Sequence, residues 1–142
     1  MEQEKLLLEA IVRCSEMGTG TIDRLAKINE NGPFADTMGV QQREYETIRE
    51  EAARRLAAMG EDPGQLSAFE KISTAVGVTM NTLTDKSARH MAEMLIQGST
   101  MGIVDLTKAI RDNPGASHDA QNLAERLLRS MQRDVEELKS YL

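Results

Sequence analysis

His90 and Glu93 are the pair of side chains whose types and spacing best suit metal chemistry. They are three residues apart in a helical pattern, so one turn would offer an imidazole nitrogen and a carboxylate to the same ion. Iron, manganese or zinc could bind such a pair. A closed site needs core-facing carboxylates from other helices, but Glu9 and Glu16 fall on a charged helix face. We therefore keep a divalent-metal or redox site at His90 and Glu93 as the alternative, and a solvated or hydrogen-bonded His90 as the main interpretation.

The single cysteine, Cys14, lies on an apolar helical face without a histidine nearby in sequence, which predicts a buried small side chain. No Gly-x-Ser-x-Gly elbow occurs in the chain. Gly18-Thr19-Gly20 lies inside a helical run and not in a phosphate-binding loop between a strand and a helix. These features favour a protein that is not an enzyme and that needs no cofactor.

The segment from Gln97 to Gly102 is similar to the one that follows the phosphate-accepting histidine in histidine phosphotransfer bundles. The residue three positions before Gln97 is Met94, and His90 lies a further turn back. The nucleophile is therefore missing from the position that this resemblance requires, so phosphotransfer is kept only as a rival hypothesis behind the two others.

The composition indicates one all-α domain covering residues 1–142. A chain of 142 residues can bury a core without metals or disulfides. Nine Met, two Phe, two Tyr and no Trp favour helices, because strands are enriched in aromatic and β-branched residues. The net charge of -6 argues against nucleic-acid binding, which needs a basic face. The acidic start and the lack of a long apolar run predict a cytoplasmic protein without a membrane span.

Apolar residues recur every three or four positions in four long runs, which predict amphipathic helices. The runs cover residues 2–30, 33–60, 85–111 and 117–142. Pro33 suits the first position of the second helix, and Gly60 suits the position just after its end. Ser117 is the predicted N-cap of the last helix.

A short extra helix is predicted between the second and third long ones. Ser67 and Glu70 have the spacing of a capping box, in which each side chain binds a free backbone N–H at a helix start. A continuous helix from there to residue 113 would be far longer than its neighbours, so we expect a break at 82–86. The stripe of the last helix is predicted to pass through Ala124, Leu128, Met131, Val135, Leu138 and Leu142.

This organisation resembles that of the ferritin-like bundles over nearly the whole chain. The C-terminal part of the last helix, Leu127–Leu142, looks most like that of small bacterial members. The resemblance implies a ferritin-like up-down four-helix bundle with a long crossover carrying the short extra helix between helices 2 and 3. Ferritin-like di-iron sites use Glu-x-x-His motifs. The residues three before His90 and His118 are Ser87 and Gly115, so the motif is absent. A stretch from Arg133 to Glu136 stands where the last helix would hold a ligand pair, and ferroxidase chemistry is therefore not implied.

Gly18 and Gly102 lie near the middles of long helices and on their apolar stripes. Glycine in a helix interior costs about 1 kcal/mol relative to alanine, which close packing between helices can offset. We expect the two glycines to meet at mid-bundle and to be packed tightly by Met17, Met94 and Met101.

The leading hypothesis is a metal-free bundle that serves as a structural or protein-interaction module. It is expected to form a homo-oligomer, most simply a dimer, or to bind an unknown protein partner. The alternative is a divergent metal-binding or redox bundle that uses His90 and Glu93.

Overall fold

The computed structural model describes residues 2–61 and 85–142. Within these residues the chain forms four long helices and no strand. They are α1 (Glu2–Ala26), α2 (Pro33–Ala58), α3 (Ala88–Asp112) and α4 (His118–Leu138), and a short 3-10 helix (Lys139–Tyr141) follows α4. The prediction of an all-α four-helix protein is confirmed for this part of the chain. The predicted extra helix, with its capping box, and most of the predicted break before the third helix lie outside the described residues.

The helices begin and end at the residues that suit these positions. Pro33 is the first residue of α2, where its missing N–H costs no intrahelical hydrogen bond. Gly60 follows α2 with a φ of +80°, a left-handed conformation that favours glycine. The Ser117 hydroxyl accepts a hydrogen bond from the N–H of Ala120 at 3.1 Å and caps α4. These three predictions are confirmed, and Ser87 caps α3 in the same way.

Contacts at one end of the bundle establish the direction of each helix. Glu4, in the first turn of α1, accepts hydrogen bonds from the N–H and the hydroxyl of Ser117, at 2.6 and 2.8 Å. Lys5 lies 3.5 Å from Glu61, which follows the end of α2. α3 ends just before the turn that contains Ser117. α1 and α4 therefore run one way, α2 and α3 run the other way, and the chain between α2 and α3 connects opposite ends of the bundle.

The opposite end is closed by Tyr141 of the 3-10 helix. Its ring packs edge-on against Phe34 of α2 at a centroid distance of 5.0 Å, and its hydroxyl is hydrogen-bonded to Thr37 at 2.8 Å. α1 and α4 each pack against both α2 and α3, and they also touch each other through the centre. α2 and α3 consequently lie at opposite corners of the bundle.

The core is formed by the apolar stripes of all four helices. A fully buried aliphatic side chain contributes about 1.5–3 kcal/mol of transfer free energy, so a core of this size stabilises the fold without metal or disulfides. The largest fully buried side chains are Leu7, Leu8, Ile11, Ile22, Leu25, Met38, Ile48, Leu56, Met91, Leu106, Leu127 and Leu138. The predicted stripe of the last helix is wrong at its end, because α4 stops at Leu138 and Leu142 is 54 % exposed.

The outer surface of α2 carries ion pairs along one helix face. Arg55 pairs with Glu51 at 3.0 Å, and Arg54 pairs with the same carboxylate. Such exposed pairs contribute at most about 1 kcal/mol. None of the described helices has the length and apolarity needed to cross a membrane.

Candidate functional site

His90 and Glu93 lie on the first turns of α3, away from the bundle core. His90 is half-buried and its backbone N–H donates to the Ser87 hydroxyl at 3.2 Å, whereas Glu93 is exposed. Across residues 2–61 and 85–142, no group of three His, Cys, Asp or Glu side chains is placed to hold a metal ion. The proposed metal pair therefore lacks a third ligand from the described chain.

Cys14 faces the bundle interior, as predicted. Its Sγ lies 4.0 Å from the carbonyl oxygen of Gly102 on α3. Burial raises the pKa of the Cys14 thiol to about 11, and the nearby Asp105 contributes to this rise while Arg13 opposes it. The thiol is therefore protonated at neutral pH, which makes it a poor nucleophile and a poor metal ligand.

A cavity lies beside Cys14, in the middle of the bundle, and we call it the mid-bundle pocket. Its volume is about 50 Å³. One wall comes from α1 and contains Cys14, Met17, Gly18 and Thr21. The facing wall comes from α3 and contains Met94, Leu95, Gly98, Ser99 and Gly102. Tyr45 of α2 and Met131 of α4 complete the lining, so all four helices contribute to one pocket.

Three glycines are among the residues that line this pocket. A Cβ atom on Gly18 would lie 2.9 Å from Cδ2 of the Tyr45 ring, which is closer than real Cβ contacts. A Cβ on Gly102 would lie 3.2 Å from the Met131 sulfur. A Cβ on Gly98 would meet nothing within 4 Å, and Gly98 is exposed. The pocket therefore opens to the surface beside Gly98, between α1 and α3.

The prediction of tight packing at mid-bundle is correct at the two glycines and wrong for the space around them. Gly18 and Gly102 do lie at one level, but each contacts a side chain, Tyr45 or Met131, and not a helix backbone. Met101 does not pack at mid-bundle, because it points outward and is 64 % exposed. Methionine side chains thus leave a cavity at a level where the sequence suggested solid packing.

Tyr45 lines the mid-bundle pocket and is almost completely buried. The side chain is 4 % exposed, and its hydroxyl has no hydrogen bond of standard geometry. Asp134 of α4 is 1 % exposed, lies next to this hydroxyl, and has one carboxylate oxygen without a partner. Both atoms are unusual, because buried polar groups are nearly always hydrogen-bonded.

Burial controls the protonation of both groups. It raises the pKa of the Tyr45 hydroxyl far above its ordinary value, and the neighbouring Asp134 carboxylate raises it further, while the Ser99 hydroxyl opposes the rise. Burial also raises the pKa of Asp134, and the Tyr45 hydroxyl and Arg133 oppose that rise. Arg133 lies 3.6 Å from the second carboxylate oxygen but is itself largely exposed. The Tyr45 hydroxyl is therefore protonated and lies beside the Asp134 carboxylate.

Sequence reasoning missed both Tyr45 and Asp134 as site residues. The apolar spacing places Tyr45 on the core stripe of the second helix, where the structure indeed buries it. For Asp134 a signal was present in the spacing. Leu127, Met131, Asp134 and Leu138 follow the 4-3-4 pattern of a buried helix face, whereas the predicted stripe passes through Val135.

An open groove between α2 and α4 carries acids and bases in alternation. Arg55 lies 3.6 Å from Asp119, and Arg126 lies 2.9 Å from Glu44, so charges of opposite sign pair across the two helices. A groove with this balance does not create the single-sign field that attracts a nucleic acid. We regard it as a solvated helix interface.

Comparison with known proteins adds no functional assignment. The chain matches no protein family, no curated protein and no solved structure. The ferritin-like relationship consequently stays a prediction from the sequence pattern.

Proposed function

We propose that this chain is a non-catalytic, ferritin-like four-helix bundle that acts as a protein-interaction module, and that it associates with a second copy of itself through α3. The helix directions support the ferritin-like part of this proposal. α2 and α3 run the same way, as in bundles with one long crossover, and the predicted short helix would belong to that connection. The protonated, buried Cys14 and the outward placement of His90 and Glu93 support binding over catalysis.

The observation that carries the proposal is a patterned surface on the outside of α3. Met101 and Val104 are one turn apart and are 64 % and 51 % exposed. Glu93 and Arg111 are also exposed and stand nine residues before and after Gly102, about 14 Å away along the helix in each direction. Their separation of 18 residues is five full turns, so both charges project from the same side of α3. We call these four residues the α3 outer surface.

The α3 outer surface is complementary to itself when two copies pack antiparallel. A two-fold axis at the level of Gly102 would place Met101 and Val104 of both copies at the centre. The same axis would bring Glu93 of one copy opposite Arg111 of the other, and the reverse, giving two ion pairs. A two-fold interface requires a self-complementary patch of this kind, with apolar residues in the middle and charges at the rim.

Light scattering after size-exclusion chromatography tests the apolar centre. We expect the natural chain to have twice the 15.7 kDa mass of one chain. Met101→Lys should weaken the dimer about tenfold or more, because it places two like charges at a desolvated centre. Val40→Lys is the matched control, since Val40 is 56 % exposed on α2 and lies outside the α3 outer surface. A natural chain that is monomeric, or equal effects of both variants, would contradict the proposal.

Charge exchange tests the antiparallel arrangement. Glu93→Arg alone should weaken the dimer because the new arginine would face Arg111 of the other copy, and Arg111→Glu alone should do so for the same reason. The double variant restores opposite charges at both pairs and should recover the dimer. Failure of the double variant to recover it, with both singles impaired, would exclude this pairing.

A further inference from the structure

We propose that the mid-bundle pocket is a modification site, at which hydrogen peroxide enters the bundle and oxidises the thioether of Met131 to the sulfoxide. In this step the sulfur lone pair takes one oxygen atom, the O–O bond breaks, and the other oxygen leaves as water. The sulfide is oxidised and the peroxide is reduced, so no further reactant is needed. This inference is independent of the proposed dimer, because none of the four residues of the α3 outer surface lines the pocket.

The sulfur of Met131 lies beside Gly102 at the wall of the mid-bundle pocket. Both residues line the pocket, and a Cβ atom on Gly102 would lie 3.2 Å from the Met131 Sδ. The whole residue is only 4 % exposed, so its surface exposure alone predicts strong protection from an oxidant. Because the pocket opens beside Gly98, an oxidant that fits inside can reach this sulfur while the helices stay folded.

The size of the pocket selects a small oxidant. One water occupies roughly 10–15 Å³ of a cavity, so a volume of about 50 Å³ holds hydrogen peroxide, which is about as large as two waters. Room is then left for the oxygen atom that the sulfur gains. tert-Butyl hydroperoxide has the same reactive O–O bond but carries a bulky alkyl group that this volume does not hold. The pocket therefore predicts that the small peroxide reaches Met131 and that the bulky one is excluded.

The chemistry of the sulfur groups favours the thioethers over the thiol. Peroxide oxidises a cysteine through its thiolate, and burial raises the pKa of the Cys14 thiol to about 11, so this thiol stays protonated at neutral pH. A thioether has no proton to lose, and its rate of oxidation depends on access. Met17 and Met94 line the same pocket but are half-buried, so solvent also reaches them directly. Met131 is therefore the methionine that reports on entry through the pocket.

The pocket also accommodates the product. A sulfoxide is larger and more polar than the thioether, and its oxygen accepts hydrogen bonds. Thr21 and Ser99 contribute hydroxyl groups to the lining. Met38 and Met91 are fully buried and do not line the pocket, so an added oxygen there would have to displace neighbouring side chains. These two residues are the internal controls for oxidation that requires opening of the fold.

Peptide mapping by mass spectrometry measures the oxidation of each methionine in the full chain. Hydrogen peroxide is added at neutral pH together with N-acetylmethionine amide, and every rate is divided by the rate of this fully exposed reference. Met131 should be oxidised at least about 100-fold faster than Met38 and Met91, because those two react only when the fold opens. With tert-butyl hydroperoxide the relative rate of Met131 should fall at least about tenfold, because this reagent exceeds the pocket volume.

Gly98→Leu tests the entrance. A Cβ at Gly98 meets nothing within 4 Å, so the leucine covers the mouth without crowding the helix and should slow the oxidation of Met131 about fivefold or more. Gly39→Leu is the matched control, because it brings the same gain in helix propensity at a glycine of α2 that does not line the pocket. It should leave the Met131 rate unchanged.

The rate of Met38 in both variants reports any change in global opening. Oxidation of Met131 that is no faster than that of Met38 would overturn the proposal. So would a relative rate of Met131 that is the same with both peroxides. Equal rates in Gly98→Leu and Gly39→Leu would overturn the assigned entrance.

Discussion

Two glycines at mid-bundle illustrate how a single missing atom shapes the interior. Gly18 contacts the ring of Tyr45, a rigid group, and Gly102 contacts the flexible side chain of Met131. Gly98, about one turn before Gly102 on α3, faces open space. The three positions therefore look alike in sequence, as helix-interior glycines, but have different physical reasons for lacking a side chain.

Alanine substitutions separate these reasons. Gly18→Ala should lower the free energy of unfolding by about 1 kcal/mol, because overpacking against Tyr45 costs about 1–3 kcal/mol and exceeds the gain in helix propensity. Gly98→Ala should raise it by about 0.5–1 kcal/mol, since propensity is improved and nothing is crowded. Urea unfolding measures both. If Gly18→Ala is stabilising as well, the Tyr45 ring moves aside at little cost.

At the scale of the helix, α3 presents two different sides. The side toward α1 carries Gly98 and Met94 at the mouth of the mid-bundle pocket. The side toward solvent carries the α3 outer surface, with acidic, apolar and basic residues in order along the helix. A helix can present both because residues three or four positions apart share a face, whereas their neighbours in sequence point elsewhere.

The helical phase of α4 places an acid inside the bundle. Asp134 occupies the buried position between Met131 and Leu138, and only the exposed Arg133, among the described residues, lies close enough to form an ion pair with it. A buried carboxylate with one unpartnered oxygen lowers stability, since its desolvation is incompletely compensated.

Asp134→Asn should therefore stabilise the protein at pH 7, by about 1–2 kcal/mol. Burial raises the pKa of Asp134 above its ordinary value of 3.8, so the folded state binds the proton more tightly than the unfolded chain. The penalty of the charged form is fully present above the folded-state pKa and disappears as the pH falls through that pKa to below 3.8. The advantage of the Asp134→Asn variant over the natural chain should accordingly shrink on acidification.

Asp105→Asn, at an exposed position of α3, is the control and should change stability little. Urea unfolding across a pH series measures all three proteins. An Asp134→Asn variant that is less stable at pH 7 would show that the carboxylate makes a net favourable interaction.

At the scale of the whole molecule, the bundle brings together side chains from all four helices without assembling a metal site from its described residues. His90 lies near the start of α3 and His118 at the start of α4, which are opposite ends of the bundle because the two helices run in opposite directions. The two histidines therefore cannot share an ion within one chain.

Metal analysis of protein purified without chelator distinguishes the interaction module from the metal-binding alternative. We expect iron, manganese and zinc each to be far below one per chain, because His90 and Glu93 alone are too few ligands for stable binding. The alternative predicts stoichiometric metal that is lost in His90→Ala and retained in His118→Ala. That result would replace the proposed function.

Local sequence signals are sufficient to predict the four long helices, several of their ends and most of the core, although α1 ends at Ala26, before the predicted end at residue 30. Pro33, Gly60 and Ser117 act through the backbone of their own segments, and apolar spacing identifies the inner face of a helix without knowledge of its neighbours. The apolar spacing wrongly predicts Leu142 as part of the buried stripe. The end of α4 depends on the packing of the terminal turn, where Tyr141 contacts α2.

The position of the mid-bundle pocket depends on how the four helices assemble. Gly18, Tyr45 and Asp134 belong to three different helices, and each reads in sequence as an ordinary member of its own stripe or charged face. Helix direction, rotation and height bring the Tyr45 ring onto Gly18 and its hydroxyl next to Asp134. These quantities depend on side-chain packing between helices, which no pattern within one helix contains. The cavity is the space that the side chains of four helices leave unfilled, so it exists only once the helices have assembled.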